Sequence, residues 1–227
     1  MIPGDYWQTL LLTFKLAGLT TGILLLIGIP LAWFLTYSSF RLKPVLEALV
    51  SMPLVLPPTV LGYYLLLAFS TESFLGSLLL NRFDIRLNFS FAGILIGSLI
   101  YSLPFMIHPL QSGFQHLPHS LREASYTLGK SPFTTLWRVL LPNIKPSLVS
   151  GIVLTFAHTI GEFGIILMIG GNIQGETRVA SIAIYDEVES LHYHSANIYA
   201  SVLLLISFTI LFVLFLYNKL FLSSKVL

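Results

Sequence analysis

Five long apolar stretches, separated by polar breaks, constrain the fold of this chain more than any other feature. A transmembrane helix needs about 20 mostly apolar residues, and each stretch is long enough to provide one. Only 10% of the residues are charged, whereas about a quarter are charged in soluble globular proteins. The sequence therefore predicts an all-α membrane protein that forms a single domain over residues 1–227. Its five transmembrane helices are expected at roughly 9–37, 46–70, 89–115, 146–170 and 197–221.

Composition also excludes several kinds of function. The chain has no cysteine, which excludes disulfides and thiolate metal sites. Its net charge of +2 gives no reason to expect nucleic-acid binding. The HExxH motif of metalloproteases and the GxSxG motif of serine hydrolases are missing from the sequence, so no catalytic residues are expected. The first residues lack the charged region of a cleavable signal peptide, so the first apolar stretch is expected to remain in the mature protein.

Residues 119–142, between the third and fourth stretches, carry signals for two short helices. In the first, Ser120 and Glu123 match a capping box, in which each side chain bonds a backbone N–H at the helix start. This pattern predicts a helix that begins near Leu121. Gly129 marks its end, because glycine adopts the left-handed conformation of a helix C-terminus without steric cost.

The second helix of this element has its own start and stop signals. Ser131 and Pro132 offer an N-cap and a preorganised first helical position, and Pro142 is expected to end the helix about ten residues later. Neither helix can cross a bilayer, which needs about 20 residues. A polar helix-turn-helix between apolar spans is expected at the cytoplasmic face, where it would meet another protein.

The same element contains a misleading fragment of a nucleotide-binding motif. Gly129, Lys130 and Ser131 match the end of a phosphate-binding P-loop. That motif requires a further glycine five residues earlier, after a strand, so that backbone amides surround the phosphate. The position holds Ala124 and no strand precedes it, so we expect this chain to bind no nucleotide.

Both helices of the element resemble the cytoplasmic coupling motif of binding-protein-dependent ABC importer permeases. The usual form is E-A-A, three residues, Gly, nine residues and I-x-L-P, and this chain keeps the whole spacing. Val139 stands for the Ile, and Tyr126 occupies a position where many relatives carry Arg. The resemblance implies a type I ABC importer permease core whose coupling element docks into a cleft on an ATPase subunit. The matching residues are Glu123, Ala124, Ser125, Gly129, Leu141 and Pro142.

Basic residues between the spans predict the orientation of the chain. If the coupling element is cytoplasmic, eight basic residues fall on the inner side: Arg41, Lys43, Arg122, Lys130, Arg138, Lys145, Lys219 and Lys225. Three fall on the outer side: Arg82, Arg86 and Arg178. This asymmetry follows the positive-inside rule. We therefore expect the N-terminus in the periplasm and the C-terminus in the cytoplasm.

The second apolar stretch contains Pro53, Pro57 and Pro58, which remove backbone donors and should kink or unwind the helix at membrane depth. Freed carbonyls are tolerated there only when they are buried in protein or face a watery cavity. Pro57, Pro58 and Thr59 are therefore candidates for a transport pathway or gate. A purely structural kink is the alternative.

The fourth stretch carries Glu162 deep among apolar residues, with His158 four positions earlier. A carboxylate at the bilayer centre costs roughly 2.5–3.5 kcal/mol, so it should have a partner or face water. Helical residues four apart share a face, which predicts His158 as that partner. Both residues are pathway or gate candidates. Because a carboxylate repels an anion, we expect Glu162 to fix packing or a gate rather than to bind an anionic substrate.

Three further segments resemble the permeases of molybdate, tungstate and sulfate importers, with molybdate permeases the most similar. They are GEFG at 161–164, NIQGETR at 172–178 and PLVLPPTVLGY at 53–63. His158 occupies a position where these relatives usually carry Arg. The resemblance implies a homodimeric pore in a bacterial inner membrane and a periplasmic oxyanion-binding protein at the outer loops. It also implies two ATPase subunits that bind ATP and Mg, with no cofactor in this chain. An ATP-independent secondary transporter is the alternative of another class.

Two smaller patterns complete the sequence. Gly18 with Gly22, and Gly93 with Gly97, form small-xxx-small faces that allow close helix approach. Two groups of histidines lack the spacing of a metal site. The group in the last outer loop is expected to contribute a solvated docking surface. The groups are His108, His116 and His119, and His192 with His194.

Overall fold

The structure, a computed structural model, describes residues 4–223, and every regular element in that range is helical. Lys225, counted above on the inner side, lies outside this range. Most of the chain is in twelve α-helices and one π-helical stretch, Leu136–Leu140. The α-helices are α1 (Gly4–Tyr37), α2 (Lys43–Val55), α3 (Pro58–Ala68), α4 (Phe74–Phe83), α5 (Phe91–Gln115), α6 (His119–Thr127), α7 (Pro132–Thr135), α8 (Leu141–Asn143), α9 (Lys145–Ile160), α10 (Gly164–Gly170), α11 (Ala180–Glu189) and α12 (Tyr193–Ser223).

Three helical segments are individually long and apolar enough to cross a membrane: Tyr6–Tyr37, Phe91–Gln115 and Tyr193–Lys219. Two bent helix pairs pass the same test together, which gives up to five spans. The helices α2 and α3 meet at 114°, and the segment Pro132–Asn143 meets α9 at 83°. The predicted all-α membrane fold is confirmed, but the second span is broken between α2 and α3, and the fourth span, expected at 146–170, is broken at 161–163 between α9 and α10. The 83° bend lies at the start of that fourth span.

Proline causes the first of these breaks. Helix α2 ends at Val55, and both Leu56 and Pro57 are extended, with ψ of 136° and 137°. Helix α3 then begins at Pro58, where a missing N–H costs nothing because the first helical N–H has no intrahelical partner. The residue before a proline disfavours the helical conformation, so two consecutive prolines hold the chain extended here. The expected disruption of the second span is confirmed.

Helix α5 lies at the centre of the fold and packs against α1, α9 and α10. Its buried side chains include Met106, Leu110 and Phe114. A β-carbon on Gly97 would lie 2.8 Å from Ile169, so the predicted close approach of this glycine is confirmed. A β-carbon on Gly18 or Gly22 would have no atom within 4 Å, so the close packing expected at that pair is not formed within the described chain.

Candidate functional site

The first helix of the coupling element begins one residue after Pro118, which has an extended conformation (φ −56°, ψ 132°). The helix therefore starts at His119, and no side chain caps its N-terminus. The predicted capping box is wrong, because Pro118 sets the start early enough to place Ser120 inside the helix.

The end of this helix follows the prediction. Gly129 has φ of 71°, and its N–H donates to the Tyr126 carbonyl at 2.9 Å. The N–H of Lys130 donates to the Ser125 carbonyl at 3.1 Å. This pair of bonds forms a Schellman motif, which requires a left-handed residue at the position of Gly129.

The second helix starts as predicted, with the Ser131 hydroxyl accepting from the Thr134 N–H at 3.2 Å and Pro132 in the first position. Helix α7, the π-helical stretch and α8 form one segment, Pro132–Asn143, that ends at the 83° bend into α9. Pro142 lies in its last turn, one residue before the end. The sequence thus predicted this boundary closely but not the π-helical stretch.

A buried hydrogen bond joins the two helices of the element. The hydroxyls of Ser125 and Thr135 lie 2.8 Å apart, and both residues are buried. Ser125 was selected from the sequence by its place in the motif, whereas Thr135 was missed. Ser125 itself was the available signal, because it places a polar side chain where the motif usually has Ala. Its partner Thr135 becomes evident only when the two helices are packed together.

The coupling residues divide into buried and exposed groups. Leu141 packs into the core beside Leu140, while Glu123, Ala124, Gly129 and Pro142 are exposed. The exposed surface of the element also carries large apolar side chains that the motif does not include. Leu128 is 75% exposed and Phe133 is 70% exposed. Tyr126 and Trp137 are exposed as well. Contiguous exposed apolar side chains mark interaction surfaces.

Arg122 ties this element to the membrane helices. Its guanidinium lies 4.5 Å from the centre of the Tyr37 ring, and the Tyr37 hydroxyl donates to the Phe114 carbonyl at 3.1 Å. Tyr37 ends α1, and Phe114 lies near the end of α5. These two contacts link the element to α1 and α5.

A second site is a cavity of about 550 Å³ beside the α2–α3 break and the α9–α10 break. It lies between the start of α3, the middle of α5 and the 161–163 break after α9. The cavity brings together four of the five pathway candidates, while Pro57 does not line it. The lining residues include Pro58, Thr59, Tyr101, His158, Glu162 and Gly164.

Glu162 lies in the wall of this cavity and is 3% exposed. Its carbonyl accepts from the Ser181 hydroxyl at 2.5 Å, which fixes its backbone against α11. Neither carboxylate oxygen has a hydrogen-bond partner of ordinary geometry among the described residues, although the buried Ser98 hydroxyl of α5 is close enough to interact with the carboxyl group. The expected pairing with His158 is wrong, because α9 ends at Ile160 and Glu162 does not continue the helical face.

His158 instead packs between aromatic rings of α5. Its ring centre lies 3.8 Å from that of Phe105 in a stacked arrangement, and 4.9 Å from that of Tyr101. Its Nε2 is buried without a partner in the part of the chain that the structure describes. Nearby, the hydroxyls of Ser102 and Thr159 lie 3.0 Å apart and join α5 to α9.

The two glycines of the GEFG motif have different surroundings. A β-carbon on Gly164 would lie 2.8 Å from the Cβ of Pro58, so the start of α10 packs directly on the start of α3. A β-carbon on Gly161 would approach nothing closer than 3.8 Å. The GEFG and LPP motifs therefore contact each other, and Gly164 is the residue that permits it.

The NIQGETR segment folds into a compact turn. The buried Thr177 hydroxyl donates to the Gly170 carbonyl at 2.7 Å and accepts from the Ile173 N–H at 3.1 Å. Arg178 then pairs with Asp186 of α11 at 2.8 Å. The segment thus holds α11 in place behind Glu162. No cluster of three metal-ligating side chains forms between residues 4 and 223.

This chain is similar in sequence and in fold to known proteins. Residues 25–223 match the family described as binding-protein-dependent transport system inner membrane component. The molybdenum transport system permease protein ModB of Azotobacter vinelandii is 43% identical over 204 residues, which is 90% of each chain. The sulfate transport system permease protein CysT of Escherichia coli strain K12 is 35% identical over 211 residues, 93% of this chain and 74% of that protein.

Two solved structures have the same fold at low sequence identity. The MetNI methionine ABC transporter in an inward-facing conformation matches with a TM-score of 0.72 and 16% identity, over 96% of this chain and 98% of that chain. A bacterial alginate ABC transporter, solved with an alginate-bound periplasmic protein, matches with a TM-score of 0.75 and 15% identity, over 94% and 78%.

Proposed function

The chain belongs to the family of binding-protein-dependent transport system inner membrane components, and from this premise we propose that it is the permease subunit of a molybdate importer. It is a multi-pass inner membrane component of an ABC importer and not an enzyme, since the ATPase of such a machine is a separate subunit. The assignment of molybdate as the substrate rests on the 43% identity to ModB over 90% of both chains.

The coupling element, residues 119–142, is proposed to dock on the ATPase subunit. Its exposed apolar side chains, Leu128 and Phe133 foremost, offer the kind of surface that a protein partner buries. The contacts of Arg122 and Tyr37 provide a rigid link from that surface to α1 and α5. ATP and Mg are then bound by a dimer of ATPase subunits, and this chain contributes the mechanical connection through Glu123, Ala124 and Gly129.

Two copies of the chain are proposed to form the pore, with the cavity at Glu162 facing the pathway. Thr59 and His158 line that cavity, and Glu162 stabilises its wall as part of a gate. The positive-inside rule supports a periplasmic N-terminus and a cytoplasmic C-terminus. The outer loops then enclose a second cavity of about 800 Å³, lined by Arg86, Asn88 and Glu176 among others, where a periplasmic binding protein would deliver the anion.

Sulfate is the second candidate substrate, because the CysT relative is 35% identical. The identity to ModB is higher, at 43%, so sequence identity favours molybdate. Tungstate shares the tetrahedral shape and charge of both anions. A secondary transporter would leave the exposed coupling element without a partner.

Competition transport tests this substrate assignment. The chain is reconstituted in vesicles with its ATPase and a periplasmic binding protein, and uptake of labelled molybdate is measured with excess tungstate or sulfate. We expect tungstate to compete and sulfate to compete weakly. Sulfate uptake that exceeds molybdate uptake would assign the chain to sulfate instead.

A further inference from the structure

A strip of mostly polar side chains runs from the Glu162 cavity along one face of α5. It consists of Tyr101, Phe105, His108 and Ser112, whose spacings of four, three and four place them on a common helical face. Tyr101 lines the cavity, and both aromatic rings contact His158. Further along, the side chains of His108 and Ser112 are exposed. We call Tyr101, Phe105, His108 and Ser112, together with His158 of α9, the histidine strip.

His108 connects the strip to the broken second span. Its Nε2 lies 3.2 Å from the Ser51 hydroxyl of α2. A neutral imidazole accepts at one nitrogen and donates from the other. With the Ser51 hydroxyl donating to Nε2, the Nδ1–H of His108 remains as a donor for a ligand. The Nε2 of His158 also has no partner in the described chain, but it is buried, so this ring forms part of the wall.

Two exposed surfaces of the chain differ in chemistry. Helix α12 has only 11% of its most apolar window buried, against 44% for α5. Its large exposed side chains are apolar, as at Leu204, Phe208 and Phe215. The hydroxyl of the exposed Thr209 donates to the Leu205 carbonyl of its own helix, so this surface suits lipid. Polar side chains within a membrane instead face protein or a water-filled cavity. The strip therefore belongs on the side that faces away from lipid.

The strip is also long enough to run from the cavity towards the end of α5. With a rise of 1.5 Å per residue, Tyr101 lies about 21 Å and His108 about 10 Å from the end of α5 at Gln115. No lysine or arginine lies on it. Neutral donors bind an anion weakly enough for release, which conduction through successive sites requires.

We propose that the histidine strip is the half of the anion pathway between the Glu162 cavity and the coupling side, where the exposed His108 donates a hydrogen bond to a passing tetrahedral oxyanion and His158 forms part of the wall. This inference rests on the proposed function, because it assigns residues to the transport of that anion.

The natural absence of cysteine allows a direct test of which surface is wet. Single variants His108→Cys and Ser51→Cys are compared with Phe208→Cys of α12, each in the complete complex in membrane vesicles. A membrane-impermeant, negatively charged thiosulfonate is applied from the coupling side. We expect labelling at His108→Cys on the order of ten-fold faster than at Phe208→Cys, because a thiol in apolar surroundings forms little thiolate. Equal rates at all three positions would overturn the pathway.

A second variant tests whether His108 acts as a hydrogen-bond donor. His108→Phe keeps a ring but removes both ring nitrogens, and Thr209→Val, on the exposed face of α12, is the matched control. We expect His108→Phe to lower the maximal rate of molybdate uptake several-fold at unchanged complex yield, with Thr209→Val unaffected. Equal uptake by His108→Phe and wild type would overturn the donor role. A wild-type complex that carries no molybdate would contradict the proposed function, while the labelling pattern still decides the pathway.

Discussion

Gly164 lies so close to Pro58 that a β-carbon on the glycine would be 2.8 Å from the Cβ of the proline. This contact joins the two places where the membrane helices are broken, the Leu56–Pro57 link between α2 and α3 and the 161–163 link between α9 and α10. The cavity of about 550 Å³ opens at the same junction, with Glu162 two residues from the contact.

The first prediction concerns this contact. Gly164→Ala should push α10 away from α3 and lower the free energy of unfolding by about 1–3 kcal/mol, the usual effect of overpacking. Thermal unfolding of the purified protein in detergent measures it. Gly161→Ala is the matched control in the same motif, because its nearest neighbours would be 3.8 Å away. Equal unfolding temperatures for the two variants would show that the contact is not tight.

The second prediction concerns the Ser125–Thr135 hydrogen bond. Ser125→Ala leaves the buried Thr135 hydroxyl without its partner, which should cost about 1–3 kcal/mol. Thr135→Val should cost a similar amount, while the double variant should recover much of the loss because both polar groups are gone. A double-mutant cycle on thermal stability measures the coupling. Strictly additive effects would mean that the two hydroxyls do not interact.

The third prediction concerns the turn of the coupling element. Gly129 has φ of 71°, a conformation that costs a residue with a β-carbon about 1–2 kcal/mol. Gly129→Val should therefore distort the turn and uncouple ATP hydrolysis from uptake while the spans remain inserted. Gly129→Asn, which tolerates the left-handed conformation, should stay close to wild type. Undiminished ATP-driven uptake by Gly129→Val would count against the coupling role.

The fourth prediction concerns Glu162. Its carboxylate oxygens are buried in the cavity wall, so an anion in the cavity does not touch them. Glu162→Gln should lower dimer yield or the rate of transport but leave the preference among molybdate, tungstate and sulfate unchanged. Competition uptake and the yield of the purified dimer measure the two effects. A changed anion preference at normal dimer yield would assign Glu162 to substrate binding.

The sequence predicted those features that depend on local backbone chemistry. Pro57 and Pro58 interrupt the second span, Gly129 ends α6, and Ser131 caps α7, because each effect involves only neighbouring residues. The capping box at Ser120 failed for an equally local reason, since Pro118 sets the helix start first.

Features that depend on packing between distant segments were missed. Thr135 was not selected because its partner Ser125 lies on another helix. The pairing of His158 with Glu162 was inferred from spacing along a helix, but that helix ends between them. The expected close packing at Gly18 and Gly22 is likewise missing from the described chain, because nothing approaches that face within 4 Å.

The central claim is that this chain is moved by an ATPase partner to import an oxyanion. Uptake of labelled molybdate into vesicles is therefore measured with the complete complex, and then without ATP and without the binding protein. We predict uptake only when both are present. Uptake that continues without ATP, driven by an ion gradient alone, would contradict the account and identify a secondary transporter.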